Sequence, residues 1–271
     1  MTRTLALAQL TALQLPPPRL VALAAEVGCS AVGIRLWPTA PGTVVYPLLD
    51  DHAMRRETEA ALRDTGVRIL DVEVLRIGDD FSVARQLPIL ELCAQLGAAH
   101  INVVCDDRDE ARLTARYAEL CQAARPLGLS CDLEFMPWVA LRDLADARRV
   151  LEAAAQPNSG VVIDALHVAR SAVPLDQIEA LPPAWLHWAQ ICDGPMPGPT
   201  TEAALIHAAR CERLPPGEGA IDLVGLFGRL PRDLPLSIEV PHDVQIARLG
   251  HREWARRAKA ATEAVLARLP A

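Results

Sequence analysis

The sequence predicts a single (β/α)8 barrel, of the kind typified by triosephosphate isomerase (TIM), over residues 1–271. Three observations predict it. Short runs rich in Val, Ile and Leu alternate with longer Ala/Leu/Arg/Glu segments of helical period, the pattern of strand–helix units in a parallel sheet. The alternation repeats eight times, and no Gly/Ser linker, low-complexity tract or change of composition divides the chain. Its length of 271 residues also suits one such barrel, commonly about 250 residues. A doubly wound open sheet is the runner-up, weakened because no G-x-G-x-x-G follows the first strand and no phosphate-cradling Gly-Lys-Ser/Thr occurs.

Taken in order, the apolar run Thr4–Ala8 is the first expected strand and Pro17–Val27 the first helix. Gly28 stops that helix before the strand Ala31–Leu36. Asp51–Thr65 follows as a helix, stopped by Gly66 before the strand Val67–Leu75. Ser82–Leu96 ends at Gly97 before His100–Cys105, and Asp107–Leu127 ends at Gly128 before Ser130–Phe135. Glycine after each of these helices fits a left-handed C-terminal cap. The last units pair Leu141–Ala154 with the strand Gly160–Asp164, Leu175–Leu181 with Trp185–Cys192, and Ile221–Leu230 with Leu236–Val240, and the helix Asp243–Arg268 closes the chain. One connection is irregular. Residues 193–219 run through Gly-Pro-Met-Pro-Gly-Pro, a helical piece at Glu202–Arg210 and Pro215-Pro216-Gly217-Glu218-Gly219, and so long an insertion after a strand is expected to be an active-site lid.

Composition narrows the function. With 27 Lys+Arg against 34 Asp+Glu the net charge is −7, and the arginines are scattered, which speaks against a nucleic-acid partner. The N-terminal stretch from Met1-Thr2-Arg3-Thr4 is broken by Gln9, Thr11, Gln14 and three prolines, too short and interrupted to span a membrane. The seven cysteines form no C-x-x-C pair and several sit in apolar runs, so they are expected to be reduced thiols of a cytoplasmic protein. Lys259 is the only lysine, which leaves little room for Schiff-base chemistry.

In a parallel barrel, catalytic groups gather where strands end on the C-terminal face. Four successive strands end alike, at Glu134 in Cys131-Asp132-Leu133-Glu134-Phe135, Asp164 after Val161-Val162-Ile163, Gln190 within Trp188–Asp193, and Glu239 after Leu236-Ser237-Ile238. Any one such residue can cap the next helix or meet solvent. Three carboxylates around one mouth need a counter-charge, and a divalent cation supplies it economically. Glu134, Asp164, Gln190 and Glu239 would form a mostly anionic, all-oxygen shell for one ion, which favours Mg²⁺ or Mn²⁺ over softer metals.

These strand ends, with Leu133-Glu134-Phe135-Met136-Pro137, Asp164-Ala165-Leu166-His167, Gln190-Ile191-Cys192-Asp193, Arg213–Gly219 and Ile238-Glu239, resemble the xylose isomerase-like TIM barrels, the sugar phosphate isomerase/epimerase group. The resemblance spans nearly the whole chain. It implies Glu, Asp, His and Glu as ligands of one divalent metal, and Gln190 departs from it where histidine is usual. An amide oxygen still ligates but weakens softer metals, leaving Zn²⁺ or Co²⁺ as lesser candidates. The resemblance also implies that His167 faces the substrate or the metal-bound water, and that Arg213 holds a substrate oxygen. Asp193 is expected to orient a ligand or cap the lid. Arg35, Trp37, Glu73 and Arg76 are candidates to line the substrate pocket, Trp37 as an apolar wall. His187 is expected to be structural, and Asp106-Asp107 to cap a helix without chemistry.

A cation at the mouth that chelates a hydroxy-ketone acidifies the neighbouring C–H, and carboxylates placed on both faces of one carbon can move its proton. The expected activity is that of a divalent-metal-dependent sugar or polyol isomerase/epimerase acting through an enediolate, with Glu134, Glu239 and His167 catalytic. The alternative is a carbon–oxygen lyase, a dehydratase of a cyclic hydroxy-ketone or keto-sugar, as in the inosose and dehydroshikimate dehydratases of the same group. A small carbohydrate or polyol substrate is then the expected partner, with neither nucleic acid nor membrane. An apurinic-site endonuclease, which shares the fold, would need more histidine ligands and a basic groove. A non-catalytic carbohydrate-binding barrel is the plainest remaining reading.

Overall fold

The computed structural model describes residues 3–39 and 42–270, so residues 1, 2, 40, 41 and 271 of the expected 1–271 domain lie outside it. Eight parallel strands close into a barrel in chain order: β1 (Leu5–Leu7), β2 (Ala31–Arg35), β3 (Arg68–Ile77), β4 (His100–Cys105), β5 (Ser130–Glu134), β6 (Ser159–Asp164), β7 (Ala189–Ile191) and β8 (Leu236–Ile238). Pairing of Leu5 with Leu236 and Leu7 with Ile238 closes the ring. Helices α1 (Pro17–Val27), α2 (His52–Thr65), α3 (Val83–Gln95), α4 (Glu110–Ala124), α5 (Leu144–Ala154), α6 (Ala165–Arg170), α7 (Leu175–Glu179), α8 (Glu202–Cys211), α9 (Leu223–Phe227) and α10 (Asp243–Leu266) run between and after the strands. The single (β/α)8 barrel expected from the sequence is the fold observed.

Period-two alternation sorts the side chains. Leu5, Leu7, Val32, Ile34, Val103, Leu133, Ile163, Ile191 and Ile238 pack outward into the large core shared with the helices. Ala6, Ala31, Leu70, Val162 and Trp188 form a separate small cluster within the ring. Asn102, Asp132, Glu134, Asp164, Gln190 and Ser237 are buried among the inward positions of their strands. A barrel interior this polar is unusual, because each buried polar atom without a partner costs about 1–3 kcal/mol.

Gly28, Gly66, Gly97 and Gly128 all take φ between 72° and 77°, the left-handed turn expected after each helix. Several boundaries differ from expectation. β7 begins at Ala189 rather than Trp185, because Pro182 and Pro183 start a 3-10 turn over Pro183–Trp185. The helix α6 was not expected, being too short to show helical period, and it starts directly from Asp164. α10 breaks at Gly250, whose φ of 78° and ψ of 159° are not helical. Asp106-Asp107 does not cap α4. Asp109 does, accepting the Arg112 N–H, while Asp107 accepts the Asp109 N–H and binds Arg112 and Arg116. The helix starts at Glu110, three residues beyond Asp107, so its cap is the next aspartate along, Asp109.

All seven cysteines are unpaired thiols. Among the described residues no helix is long and apolar enough to cross a membrane.

Candidate active site

The C-terminal ends of β5, β6 and β8 and the segment after α8 bring Glu134, Asp164, Glu239 and Arg213 together, all buried. Arg213 lies between two of the carboxylates, with Nη1 2.6 Å from Asp164 Oδ2 and Nη2 2.9 Å from Glu239 Oε2. Its Nε donates to the Ala209 carbonyl at 2.7 Å, which fixes the plane of the guanidinium. The other oxygen of Asp164 caps α6, accepting the N–H groups of Leu166 and His167 at 2.7 and 3.0 Å. That cap is the local reason a six-residue helix forms, and it aims His167 at the mouth. His167 Nε2 sits 3.7 Å from Glu134 Oε1, and its ring meets Trp138 edge-on with centroids 5.2 Å apart. Glu134 Oε2 accepts from Asn102 Nδ2 at 3.0 Å.

The same burial acts differently on three carboxyls. Burial pushes Glu134 up to about 8, with Asp164 adding to the push while Arg213 and the Asn102 hydrogen bond oppose it. Burial likewise raises Glu239 well above the usual carboxylate range against the pull of Arg213, and Glu73, Glu134 and Asp164 reinforce it. On Asp164 burial also pushes upward, but Arg213, His167 and the backbone donors outweigh it and hold the group below its ordinary value. His167 is pushed down to about 4, chiefly by burial, with Asp164 opposing the fall and Arg213 and Arg170 adding to it. At neutral pH the site thus holds an ionised Asp164, a neutral imidazole and, in Glu134, a carboxyl poised to exchange a proton, with Glu239 held toward its neutral form.

Glu134, Asp164 and His167 offer ligand atoms within 4.8 Å of one another, a spacing that can hold a cation. Gln190, on β7, is buried with its Oε1 lacking a hydrogen-bond partner among the described residues. Three carboxyls face one guanidinium, and with all three ionised the negative charge is in excess. An unpaired amide oxygen and surplus carboxylate charge both suit a hard divalent ion, so the donor set fits the ion expected from the sequence.

A cavity of about 290 Å³ opens over these groups. Glu134, His167, Arg213 and Glu239 reach it, as do Arg35 and Arg76. Arg35 is buried and pairs with Glu73 at 2.9 Å, and Arg76 pairs with Asp106. Glu73 is not among the residues lining the cavity, and its contact with Arg35 places it as a support for that arginine. Trp37 is turned away, donating Nε1–H to Gln86 at 2.9 Å, and the cavity's aromatic wall is Trp138. Asp193 holds the two ends of the 193–219 insertion together: its carboxylate accepts the N–H groups of Gly194, Gly217 and Ile221. A Cβ on Gly219 would lie 2.3 Å from Asp193 Oδ1, so that closure depends on glycine. His187 lies away from the mouth and bonds Asp132.

Three site residues were missed in the sequence. Asn102 was signalled only by being an amide inside the apolar run His100–Cys105. Trp138 stands in a loop next to the Glu134-Phe135-Met136-Pro137 motif. Arg210 is one arginine of the expected helical piece Glu202–Arg210, and nothing in the sequence separates it from its neighbours.

Residues 21–265 match the family described as the xylose isomerase-like TIM barrel, and the chain belongs to that family. No curated protein matches it in sequence. Among solved structures it is similar to the IolI protein with a bound zinc atom, at 18% identity and TM-score 0.81 over 99% of both chains. It is also similar to a D-allulose 3-epimerase from Methylomonas sp. in complex with D-allulose, at 14% identity and TM-score 0.66 over 97% of this chain and 96% of that one. A third likeness is to the 3-keto-D-glucoside 4-epimerase YcjR from E. coli, at 17% identity and TM-score 0.70 over 96% and 100%. At these identities the likeness is one of fold.

Proposed function

We propose that this chain is a divalent-metal-dependent isomerase or epimerase of a sugar or polyol that moves a proton on a carbon next to a carbonyl. One observation carries the reading: Glu134 and Glu239, both buried and both shifted upward, reach one cavity alongside Arg213 and His167. A carboxyl shifted toward neutrality accepts and returns a proton near working pH, which an ordinary surface carboxylate does poorly. The epimerases of similar fold support the same class of chemistry.

Glu134 and Glu239 come from strands three places apart in the ring, so a planar carbon between them meets a carboxyl on each face. One removes the proton and the other returns one, giving the epimer. Arg213, anchored on Asp164 and Glu239, keeps the Glu239 carboxylate in place and presents fixed positive charge to a substrate oxygen. Neutral His167 shuttles a proton to or from that oxygen rather than acting as a cation. Glu134, Asp164, Gln190 and Glu239 would hold the divalent ion, which when bound supplies Lewis-acid stabilisation of the enediolate. The insertion at 193–219 serves as the roof, since Arg213 and the end of α8 line the cavity.

The test is proton exchange. Incubated in D₂O with Mn²⁺ and a panel of ketoses including D-allulose, the enzyme should place deuterium on the carbon beside the carbonyl of the ketose it turns over. Turnover of a ketose with no deuterium gained at that carbon, by mass spectrometry or NMR, overturns the reading.

A further inference from the structure

The first part of the insertion, residues 194–198, meets α6 through an arginine that lacks a proper acceptor. Arg170, the last residue of α6, carries its guanidinium into this segment. A Cβ on Gly198 would fall 2.3 Å from its Nη1 and 2.5 Å from its Nε, and one on Gly194 would fall 3.0 Å from Nη2, so the two glycines leave the room in which the arginine sits. Nη1 donates to the sulfur of Met196 at 3.1 Å, while Nε and Nη2 are buried with no hydrogen-bond partner among the described residues. The carboxylate whose charge reaches the guanidinium, Asp193, is already filled by the N–H groups of Gly194, Gly217 and Ile221. A half-buried cation thus rests on a thioether, a weak acceptor, and burial presses its pKa below the ordinary value.

Met196 is also the one exposed methionine among the described residues, with 46% of its surface open. Met54 packs against the core, and Met136 is half-buried in the wall of the active cavity. Oxidation of a thioether to the sulfoxide places a polar oxygen on the sulfur, and a hydrogen bond from a guanidinium to that oxygen is charge-assisted. With hydrogen peroxide as oxidant, a sulfur lone pair attacks one peroxide oxygen. The S–O bond forms as the O–O bond breaks, sulfur gives up an electron pair, and the departing oxygen takes up the remaining peroxide proton and leaves as water. The unbranched methionine side chain can turn the new oxygen toward Nη1, Nη2 or Nε.

We propose that Met196 is a modification site: a peroxide oxidises it to the sulfoxide, whose oxygen accepts from Arg170 and clamps the start of the insertion onto α6. The inference goes beyond the isomerase reading and does not depend on it.

The experiment treats the intact protein with hydrogen peroxide, follows each methionine by peptide mass spectrometry, and measures hydrogen–deuterium exchange over residues 193–213 before and after. Met196 should oxidise before Met54 and Met136. Exchange over α8 should then slow about 10-fold, what one hydrogen bond to a charged group confers against local opening, and a methionine sulfoxide reductase should restore the original rate. Met196→Leu should show no slowing with peroxide. Arg170→Gln should still be oxidised at Met196 yet gain no protection, and Arg170→Lys, with one ammonium in place of the fork, should gain part of it. Oxidation of Met54 or Met136 ahead of Met196, exchange that is unchanged or faster once Met196 is oxidised, or a slowing that survives Arg170→Gln overturns the inference. The first and second of these outcomes are read on the unmutated protein, so they stand even where a variant folds poorly.

Discussion

Strand β5 places two acids on one inward face, Asp132 and Glu134, and around each stand imidazoles and further polar groups. Near the N-terminal end, Asp132 accepts from His187 Nδ1 at 2.6 Å, Trp188 Nε1 at 2.9 Å and Ser130 Oγ at 2.8 Å, while Ser130 also meets His100 Nδ1 at 2.7 Å. The His100 and His187 rings stack with centroids 5.6 Å apart. Gly160 on β6 leaves room for this packing, since a Cβ there would fall 2.4 Å from Asp132 Oδ1. At the mouth, by contrast, Gln190 Oε1 and His167 Nδ1 lack partners among the described residues, and Glu134 and Glu239 open on a cavity. The two clusters use the same residue types, and the difference is satisfaction. A carboxylate whose lone pairs are filled by fixed donors is a structural pin, and one left with unfilled neighbours and access is equipped for chemistry.

The largest effect that would sharpen this contrast is on turnover. Glu239→Gln keeps an oxygen and nearly the same volume but loses the base, so turnover should fall about 10²–10⁴-fold while the protein stays folded and retains metal by elemental analysis. Near-normal turnover in this variant would make Glu239 a structural ligand like Asp132. The reverse experiment follows on Asp132. Asp132→Ala leaves Trp188 Nε1–H and His187 Nδ1 without their acceptor inside the barrel, and Ser130 with His100 alone, and should cost about 3 kcal/mol in urea unfolding. Its surviving folded fraction should keep its turnover per molecule, because Asp132 touches nothing at the mouth. A loss of turnover larger than the loss of folded protein would break the division between the two regions.

Much of this site was legible in the sequence for a physical reason. Glu134, Asp164 and Glu239 interrupt or end apolar runs, and buried strands admit a carboxylate only where something compensates it. Gln190 was legible in the same way, and its orphaned oxygen shows why an amide there stands out. Distance along the chain hid the rest. Trp37 ends an apolar run and looked like a wall, yet Gln86, far away in sequence, draws its indole aside. Asp132 sits in the run that also carries Glu134, and only the fold shows His187 and Trp188 closing over it. Arg210 needed three-dimensional information, since only the fold brings the last turn of α8 to the cavity wall.

A smaller effect concerns the choice of metal. Gln190→His exchanges a hard neutral oxygen for an imidazole nitrogen, and the variant should bind Zn²⁺ or Co²⁺ about 10-fold more tightly relative to Mn²⁺, by competition dialysis. An unchanged ranking would mean that Gln190 stays outside the ion's coordination and belongs with the structural amides of the barrel interior.

The smallest effect probes the structural cluster by pH. Burial pulls His187 down, but the hydrogen bond and charge of Asp132 and the Ala184 carbonyl outweigh it, so its folded-state pKa lies above the ordinary 6.5. The folded chain therefore binds this proton more tightly than the unfolded chain does. The stability contributed by the His187–Asp132 pair is fully present below about pH 6.5 and is lost as pH rises through the folded value. His100 acts in the opposite sense, since burial outweighs Asp132 and lowers its pKa, so its contribution is present above about pH 6.5 and lost as pH falls. The two offset each other in the intact protein. Subtracting the unfolding free energy of His187→Asn from that of the intact protein cancels most of the His100 part. The difference should be greatest near about pH 6 and shrink toward about pH 9, by no more than about 1 kcal/mol because His187 is partly open to solvent. A difference that does not change with pH would mean that His187 binds Asp132 as a neutral donor. Asp132 would then be held by hydrogen bonds from Trp188, Ser130 and an uncharged imidazole, a pin made without a buried cation.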